Sequence, residues 1–277
     1  MNTSFLNMLQ QIDESYCSQV PPVKQSHQFI DDLVHLLFPV MENRLMKTEE
    51  IHAEFKSLEG RLIDLLEPLE KKLGQDPRVM SQKFFECIPD VYEMLVEDAH
   101  NFLESDPAAN CLEEVVVAYP GFYALTIHRL AHLLVKQDIA FLPRVMSEYA
   151  HSRTGIDIHP GASIGRRCYI DHGTGIVVGE TAVIGDDVKI YQGVTLGATF
   201  VEKRLKHTKR HPTIEDRVIL YAGSTILGKN TVIGHDTIIG GNVWLTDSVP
   251  PHSVVYRQQQ SVVRDSRTEL SPINYVI

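Results

Sequence analysis

Cysteine is scarce. The 277 residues hold four, Cys17, Cys87, Cys111 and Cys168, with no C-x-x-C pair. That argues against a disulfide framework and reads as reduced thiols in a cytoplasmic protein. Basic residues are short as well, 26 against 36 acidic, for a net charge of −10. Such a balance argues against a general nucleic-acid or membrane-surface binder, which needs a basic face. No apolar run approaches the ~18 residues of a spanning helix. The start, Met1-Asn2-Thr3-Ser4-Phe5-Leu6, lacks the basic and apolar regions of a secretory signal. The single tryptophan, Trp244, reads as core or subunit packing rather than a ligand-stacking residue.

Glycine is missing from one half only. Residues 1–150 hold Gly60, Gly74 and Gly121, and the remainder holds the other 14. Charge divides at the same place, 12 basic against 24 acidic before it and 14 against 12 after it. We read three segments: a helical domain over 1–150, a second architecture over 151–255 with a loop insertion at 199–210, and a tail over 256–277. In the first, Phe29–Phe38 carries apolar residues at helical spacing and then meets Pro39. Leu62, Ile63, Leu65, Leu66 and Leu69 repeat the pattern, as does Phe122–Val135 behind Pro120-Gly121. His128 and His132, four apart, have metal-ligand spacing but no third ligand nearby, so they read as a partly buried helical face.

The second architecture is periodic. Ile158, Ile164, Ile170 and Ile176 recur every six residues, then Val178, Ile184, Ile190 and Leu196, then Leu227, Ile233, Ile239 and Leu245. Glycine often follows, as in Ile164-Gly165, Val178-Gly179 and Ile233-Gly234. A period of six fits a triangular coil with one hexapeptide per face, whose aliphatic residues stack inside. The glycine is expected at the corner, where it accepts backbone angles other residues resist. The fold class is therefore an all-α domain followed by a left-handed parallel β-helix. Gly173-x-Gly175 does not have dinucleotide-motif spacing, and no helix pattern follows it.

Scaffolds of this kind act through the polar residues that interrupt the pattern. Asp157 and His172 are 15 residues apart, near the ~18 of one turn. A carboxylate that fixes an imidazole's tautomer makes a general base toward a hydroxyl, and spacing alone leaves two unrelated corner residues as the alternative. The stretch Val201–His211 carries five basic residues and one acidic, a solvated loop or an attractor for a polyanionic cosubstrate. His207 and His211 flank Lys209 and Arg210, which disfavour a cation, so no metal is expected there. Cys168 falls on an inward slot of the repeat and reads as buried and inert.

Asp157-Ile158-His159-Pro160-Gly161-Ala162, then Asp171-His172-Gly173-Thr174-Gly175-Ile176-Val177-Val178-Gly179-Glu180-Thr181-Ala182, then Val194-Thr195-Leu196-Gly197 and Arg210-His211-Pro212 closely resemble serine O-acetyltransferase. The likeness reaches back to Asp106-Pro107 and Gly121-Phe122-Tyr123, and forward to Val249-Pro250-Pro251-His252. The resemblance implies transfer of acetyl from acetyl-CoA to the L-serine hydroxyl, for cysteine biosynthesis, with no resident cofactor or metal. It implies His172 as general base with Asp157 orienting it. It implies Asp106, Asp171, Arg210 and His211 as ligands of serine and of the feedback inhibitor L-cysteine. Gly197, Ala198, Thr199, Ala222 and Gly241 are implied along the acetyl-CoA path. The family pattern further implies a homotrimer, or a hexamer formed as a dimer of trimers, and docking of the terminal Ile277 into O-acetylserine sulfhydrylase. Another small hydroxyl acceptor such as homoserine, or a silent scaffold for the sulfhydrylase, stands as the alternative. A carbonic-anhydrase-type zinc site would draw on His159, His172, His207, His211 and His235, which lack its motif.

Overall fold

A computed structural model describes residues 2–16, 20–199 and 208–258. The chain first builds α-helices: α1 (Thr3–Tyr16), α2 (Val23–Leu37), α3 (Thr48–Leu66), α4 (Glu70–Leu73), α5 (Pro77–Glu86), α6 (Ile88–Ser105), α7 (Leu112–Ala118), α8 (Pro120–Val135) and α9 (Leu142–Thr154). Local chemistry sets several starts. Pro77, Pro120 and Pro143 lie in the first turns of α5, α8 and α9, where the missing N–H costs nothing. The Asp76 side chain caps α5 by accepting the Arg78 N–H at 2.9 Å. The helical spacing read in Phe29–Phe38 is a core face, with Phe29, Ile30, Leu33, Leu36 and Leu37 all buried.

From Asp157 onward every strand is short and parallel, and the coil has three faces. Face A stacks β1 (Asp157–Ile158), β4 (Val177–Val178), β7 (Thr195–Gly197), β10 (Thr225–Leu227) and β13 (Trp244–Leu245). Face B stacks β2 (Ser163–Ile164), β5 (Val183–Ile184), β8 (Thr213–Ile214) and β11 (Val232–Ile233). Face C stacks β3 (Tyr169–Asp171), β6 (Lys189–Tyr191), β9 (Ile219–Leu220), β12 (Ile238–Ile239) and β14 (Val254–Val255). Ile158, Val178, Leu196 and Ile226 form one inward ladder, buried to 4% exposure or less. This is the β-helix expected from the hexapeptide period.

Three details differ from the sequence reading. The repeat resumes at Ile214, Leu220 and Ile226 rather than at Leu227: Ile226 pairs with Leu196 and is fully buried. Seven residues then lead to Ile233, because the corner holds an extra residue. The glycines that follow the aliphatic positions do not carry unusual backbone angles, apart from Gly228. Gly165 and Gly185 are there because the next turn passes too close for a side chain: an added Cβ would meet Asp186 and Asp216 oxygens at 2.3 Å. Left-handed angles fall instead on Arg167, Asp187, Arg217, Asp236 and His252 at the edge between faces B and C, and on His172, Gly193, Gly223 and Asn242, among others, at the corner from C to A. Finally, Trp244 is 67% exposed and is not a core residue of this chain.

The two architectures are joined by a buried ion pair. Arg129 of α8 donates to both Asp98 oxygens of α6, at 2.6 and 2.9 Å, and to the carbonyls of Ile164 and Gly165. Asp98 also accepts the Cys168 N–H at 3.0 Å. Burial pushes the Asp98 carboxyl up, with Arg129 opposing it. Removing one partner of such a pair strands a charge and costs about 3–5 kcal/mol. Cys168 is fully buried, and burial pushes its thiol up to about 12, which bears out the inert reading. His128 is buried and His132 half-buried, with the His132 Nδ1 against the Pro160 carbonyl, so this pair is helical packing.

Candidate active site

Two clusters form on two corners of the prism. The first lies at the corner from face C to face A. Twenty residues separate the stacked pair Asp157 and Val177, and eighteen the next pair, Val177 and Thr195. The longer first turn places its surplus in His172–Gly175, which is why the hexapeptide ladder moves from Ile176 to Val178. His172 adopts a left-handed φ of 57°, unusual for a residue with a side chain, and its side chain is 70% exposed. Its Nδ1 lies 3.4 Å from the Asp171 carboxylate. Asp106 enters from the end of α6, where its carboxylate accepts the Ala108 N–H at 2.8 Å and the Tyr119 hydroxyl at 2.6 Å. The Tyr119 hydroxyl and that backbone N–H hold Asp106 below the usual carboxylate range, with His172 adding to this. The same bond pushes the Tyr119 phenol up to about 12.

The second cluster lies at the corner from face A to face B. The Arg210 guanidinium pairs with Glu180. The Arg210 and His211 N–H groups both donate to Thr181 Oγ1, at 2.9 and 3.1 Å. In return the Thr181 N–H donates to His211 Nδ1 at 3.0 Å, so Nδ1 carries the lone pair and Nε2 the proton. Burial, reinforced by Arg210, lowers the His211 pKa to about 4. His211 is therefore a neutral N–H donor at neutral pH. Its ring rests on Gly179, where a Cβ would stand 2.1 Å from Nε2. The Lys209 Nζ donates to the Thr181 and Pro212 carbonyls at 2.9 and 3.1 Å, tying down the end of the insertion. The rest of the basic stretch through His207 lies outside the described residues, as does Ile277.

Within one chain the expected Asp157–His172 pair does not form. No hydrogen bond or ion pair joins them among the described residues. The Asp157 carboxylate instead lies within 4.8 Å of ligand atoms on Glu148 and His151, and its charge acts on His159, which also feels Glu180 and Arg210. Asp157 thus sits on face A beside α9, with no bond to His172 of its own chain. Thr199 and its neighbours Gly197 and Ala198 lie where face A turns to face B, whereas Ala222 and Gly241 stack at the corner from C to A. Tyr119, Glu180 and Thr181 were not singled out from sequence. Glu180 and Thr181 stood inside the Gly179-Glu180-Thr181-Ala182 run, but nothing in the spacing assigned them a role.

One corner offers carboxylates and an imidazole, which suit an ammonium and a hydroxyl. The other offers a guanidinium and a neutral N–H, which suit a carboxylate. The two are separated by one face, roughly 15–20 Å of extended chain at ~3.3 Å per residue.

No family model matches the chain. It is 48% identical over 192 residues to "Serine acetyltransferase, plasmid" of Synechococcus elongatus, covering 68% of this chain and 60% of that protein. It is 47% identical over 164 residues to the serine acetyltransferase of Bacillus pumilus, covering 59% and 73%. Its fold matches serine acetyltransferase isoform 3 of Entamoeba histolytica in complex with cysteine, with TM-score 0.75, 32% identity and coverage of 88% and 85%. A serine acetyltransferase in complex with CoA matches with TM-score 0.57, 30% identity and coverage of 84% and 98%. The Neisseria gonorrhoeae enzyme in complex with serine matches with TM-score 0.59, 27% identity and coverage of 78% and 97%. With its helical region, its parallel coil and the Asp106, His172 and Arg210-His211 clusters in place, the chain belongs to the serine acetyltransferase family of acyltransferases.

Proposed function

We propose that the chain transfers acetyl from acetyl-CoA to the hydroxyl of L-serine, giving O-acetyl-L-serine and CoA, at a site completed by two copies of the chain. The observation that carries this reading is the separation of the clusters. An α-amino acid's ammonium and carboxylate lie only a few ångström apart, so one molecule cannot reach both corners of a single prism. A second prism alongside brings the Arg210-His211 corner of one copy to the His172 corner of the next, and a closed three-fold ring satisfies every corner. The residues along the acetyl-CoA path divide between the same two corners.

In this arrangement Asp106 and Asp171 receive the ammonium. Arg210 and His211 of the adjacent copy receive the carboxylate. Asp157 of the adjacent copy faces His172 and fixes its tautomer. His172 takes the serine hydroxyl proton as the oxygen attacks the thioester carbonyl. The tetrahedral intermediate then expels the CoA thiolate, and the imidazolium returns the proton to sulfur. Positioning both substrates in one complex needs no covalent enzyme intermediate. L-cysteine presents the same ammonium and carboxylate with a thiol in place of the hydroxyl, and competes at this site. Exposed apolar residues of α1, among them Phe5, Met8, Leu9 and Ile12, supply a surface for pairing trimers into a hexamer. Docking through Ile277 into the sulfhydrylase is tested by pull-down with and without that residue.

The reaction is tested by thiol release from acetyl-CoA with L-serine or L-homoserine as acceptor. Serine-dependent release is expected. Release with homoserine alone keeps the chemistry and replaces the acceptor, and silence with both overturns the reading.

A further inference from the structure

The edge between faces B and C lies away from both reaction corners and has its own order. Arg167, Asp187, Arg217, Asp236 and His252 occupy its left-handed position in successive turns, with φ between 55° and 59°. Arg167 Nε donates to Asp187 at 2.7 Å, and Arg217 spans both Asp236 oxygens at 2.7 and 2.8 Å. At the top two turns imidazoles join the series. His235 Nδ1 lies 2.7 Å from Asp236 Oδ2, and His252 Nδ1 lies 3.9 Å from the same oxygen. The two rings meet edge to face at 4.8 Å, and the His252 N–H donates to the His235 carbonyl at 2.9 Å.

Arg217 and His235 already satisfy the Asp236 carboxylate. At 3.9 Å His252 makes no hydrogen bond to it, so the second imidazole is surplus to an ion-pair hub. It is not surplus to a coordination site. One ligand atom from each of His235, Asp236 and His252 lies within 4.8 Å of the others. A tetrahedral ion about 2.0–2.1 Å from its ligands sets neighbouring donors about 3.3 Å apart, and the observed 2.7 and 3.9 Å bracket that spacing. Two nitrogens and one carboxylate suit zinc or nickel rather than magnesium or calcium, which favour all-oxygen sites.

We propose that His235, Asp236 and His252 bind one divalent transition-metal ion, of the zinc or nickel type, which clips the last turn of the coil to the turn beneath it. Binding replaces the His235 Nδ1–H···Asp236 bond. The Nδ1 proton moves to Nε2 through solvent, so the imidazole binds neutral and no redox step is involved. Water fills the fourth position, and His252, 71% exposed, leaves the way in open. Arg217 holds both Asp236 oxygens, Oδ2 among them, so its charge competes with the ion and weakens its hold. The ion takes no part in acetyl transfer.

The test uses the full chain without a polyhistidine tag, stripped with chelator and titrated calorimetrically with ZnCl2 and with NiCl2 at pH 7.5. One ion per chain is expected, with a rise in melting temperature. His252→Ala and His235→Ala are each expected to weaken binding at least tenfold and to abolish the thermal shift, whereas Arg217→Gln tightens it. Assembly size by gel filtration confirms that each variant folds. No binding by the parent chain overturns the proposal. So does binding that survives His252→Ala and His235→Ala, which places the ion on other groups such as the exposed Cys87 or Cys111.

Discussion

The Tyr119 hydroxyl donates to the Asp106 carboxylate at 2.6 Å and is the largest influence holding that carboxylate ionised. Tyr119 closes α7 and Asp106 closes α6, so the bond joins two helix ends beside His172. Tyr119→Phe removes one charge-assisted hydrogen bond, worth about 1.5–3 kcal/mol, part of which water restores. The serine half-saturation is expected to rise roughly three- to thirty-fold, with kcat changed less. The Asp106 pKa rises only toward its ordinary 3.8, so the pH profile between 5 and 8 keeps its shape while the half-saturation rises. Steady-state kinetics across pH 5–8 check both effects.

Gly179 is a second point of leverage. A Cβ there would overlap the His211 ring at 2.1 Å, and the ring is held by Thr181 from the other side. Gly179→Ala is expected to displace His211 and raise the serine half-saturation, leaving half-saturation for acetyl-CoA within about twofold. Equal losses toward both substrates would place His211 elsewhere in the chemistry.

Acid is expected to destabilise the fold well before its carboxylates titrate. His211 is lowered from 6.5 to about 4 in the folded chain, and burial lowers His128 well below 6.5. Both are neutral when folded and take up protons more readily when unfolded. Their stabilisation is complete above about pH 7 and lost as pH falls toward 4. For His211 alone the loss reaches up to about 3 kcal/mol, at about 1.4 kcal/mol per tenfold. Denaturant titrations at pH 7.5, 6.5 and 5.5 should show a falling midpoint, and His211→Asn should flatten the trend.

Much of this molecule was legible from residues alone, for identifiable reasons. Stacked aliphatics need one period, so Ile158, Ile164 and Ile170 announced the coil and Cys168 its inward slot. What was missed departs from that period. The insertion hid Ile214 and Leu220, and the extra residue behind Ile226 made Leu227 look like the ladder. Glycine's reputation for odd angles drew attention from close approach between turns, the constraint at Gly165 and Gly185. Tyr119 carries no motif, and only the packing of α7 against α6 brings it to Asp106. The pairing of Asp157 with His172 was inferred from spacing along one chain, whereas the fold sets Asp157 beside Glu148 and His151 of α9, and we propose that it meets His172 of a neighbouring copy.

Subunit complementation tests whether each site is shared between two copies of the chain. His172→Ala is expected to lower turnover by about 10²–10⁴, and Arg210→Ala to disable serine binding. The two variants, made separately, are to be mixed one to one, dissociated and reassembled, or co-expressed. If each site takes His172 from one copy and Arg210 from the next, about a quarter of the sites in the mixed assemblies regain both groups, and activity returns to about a quarter of the parent level. Mixed assemblies no more active than the two variants alone would contradict a shared site and place the whole reaction within a single chain.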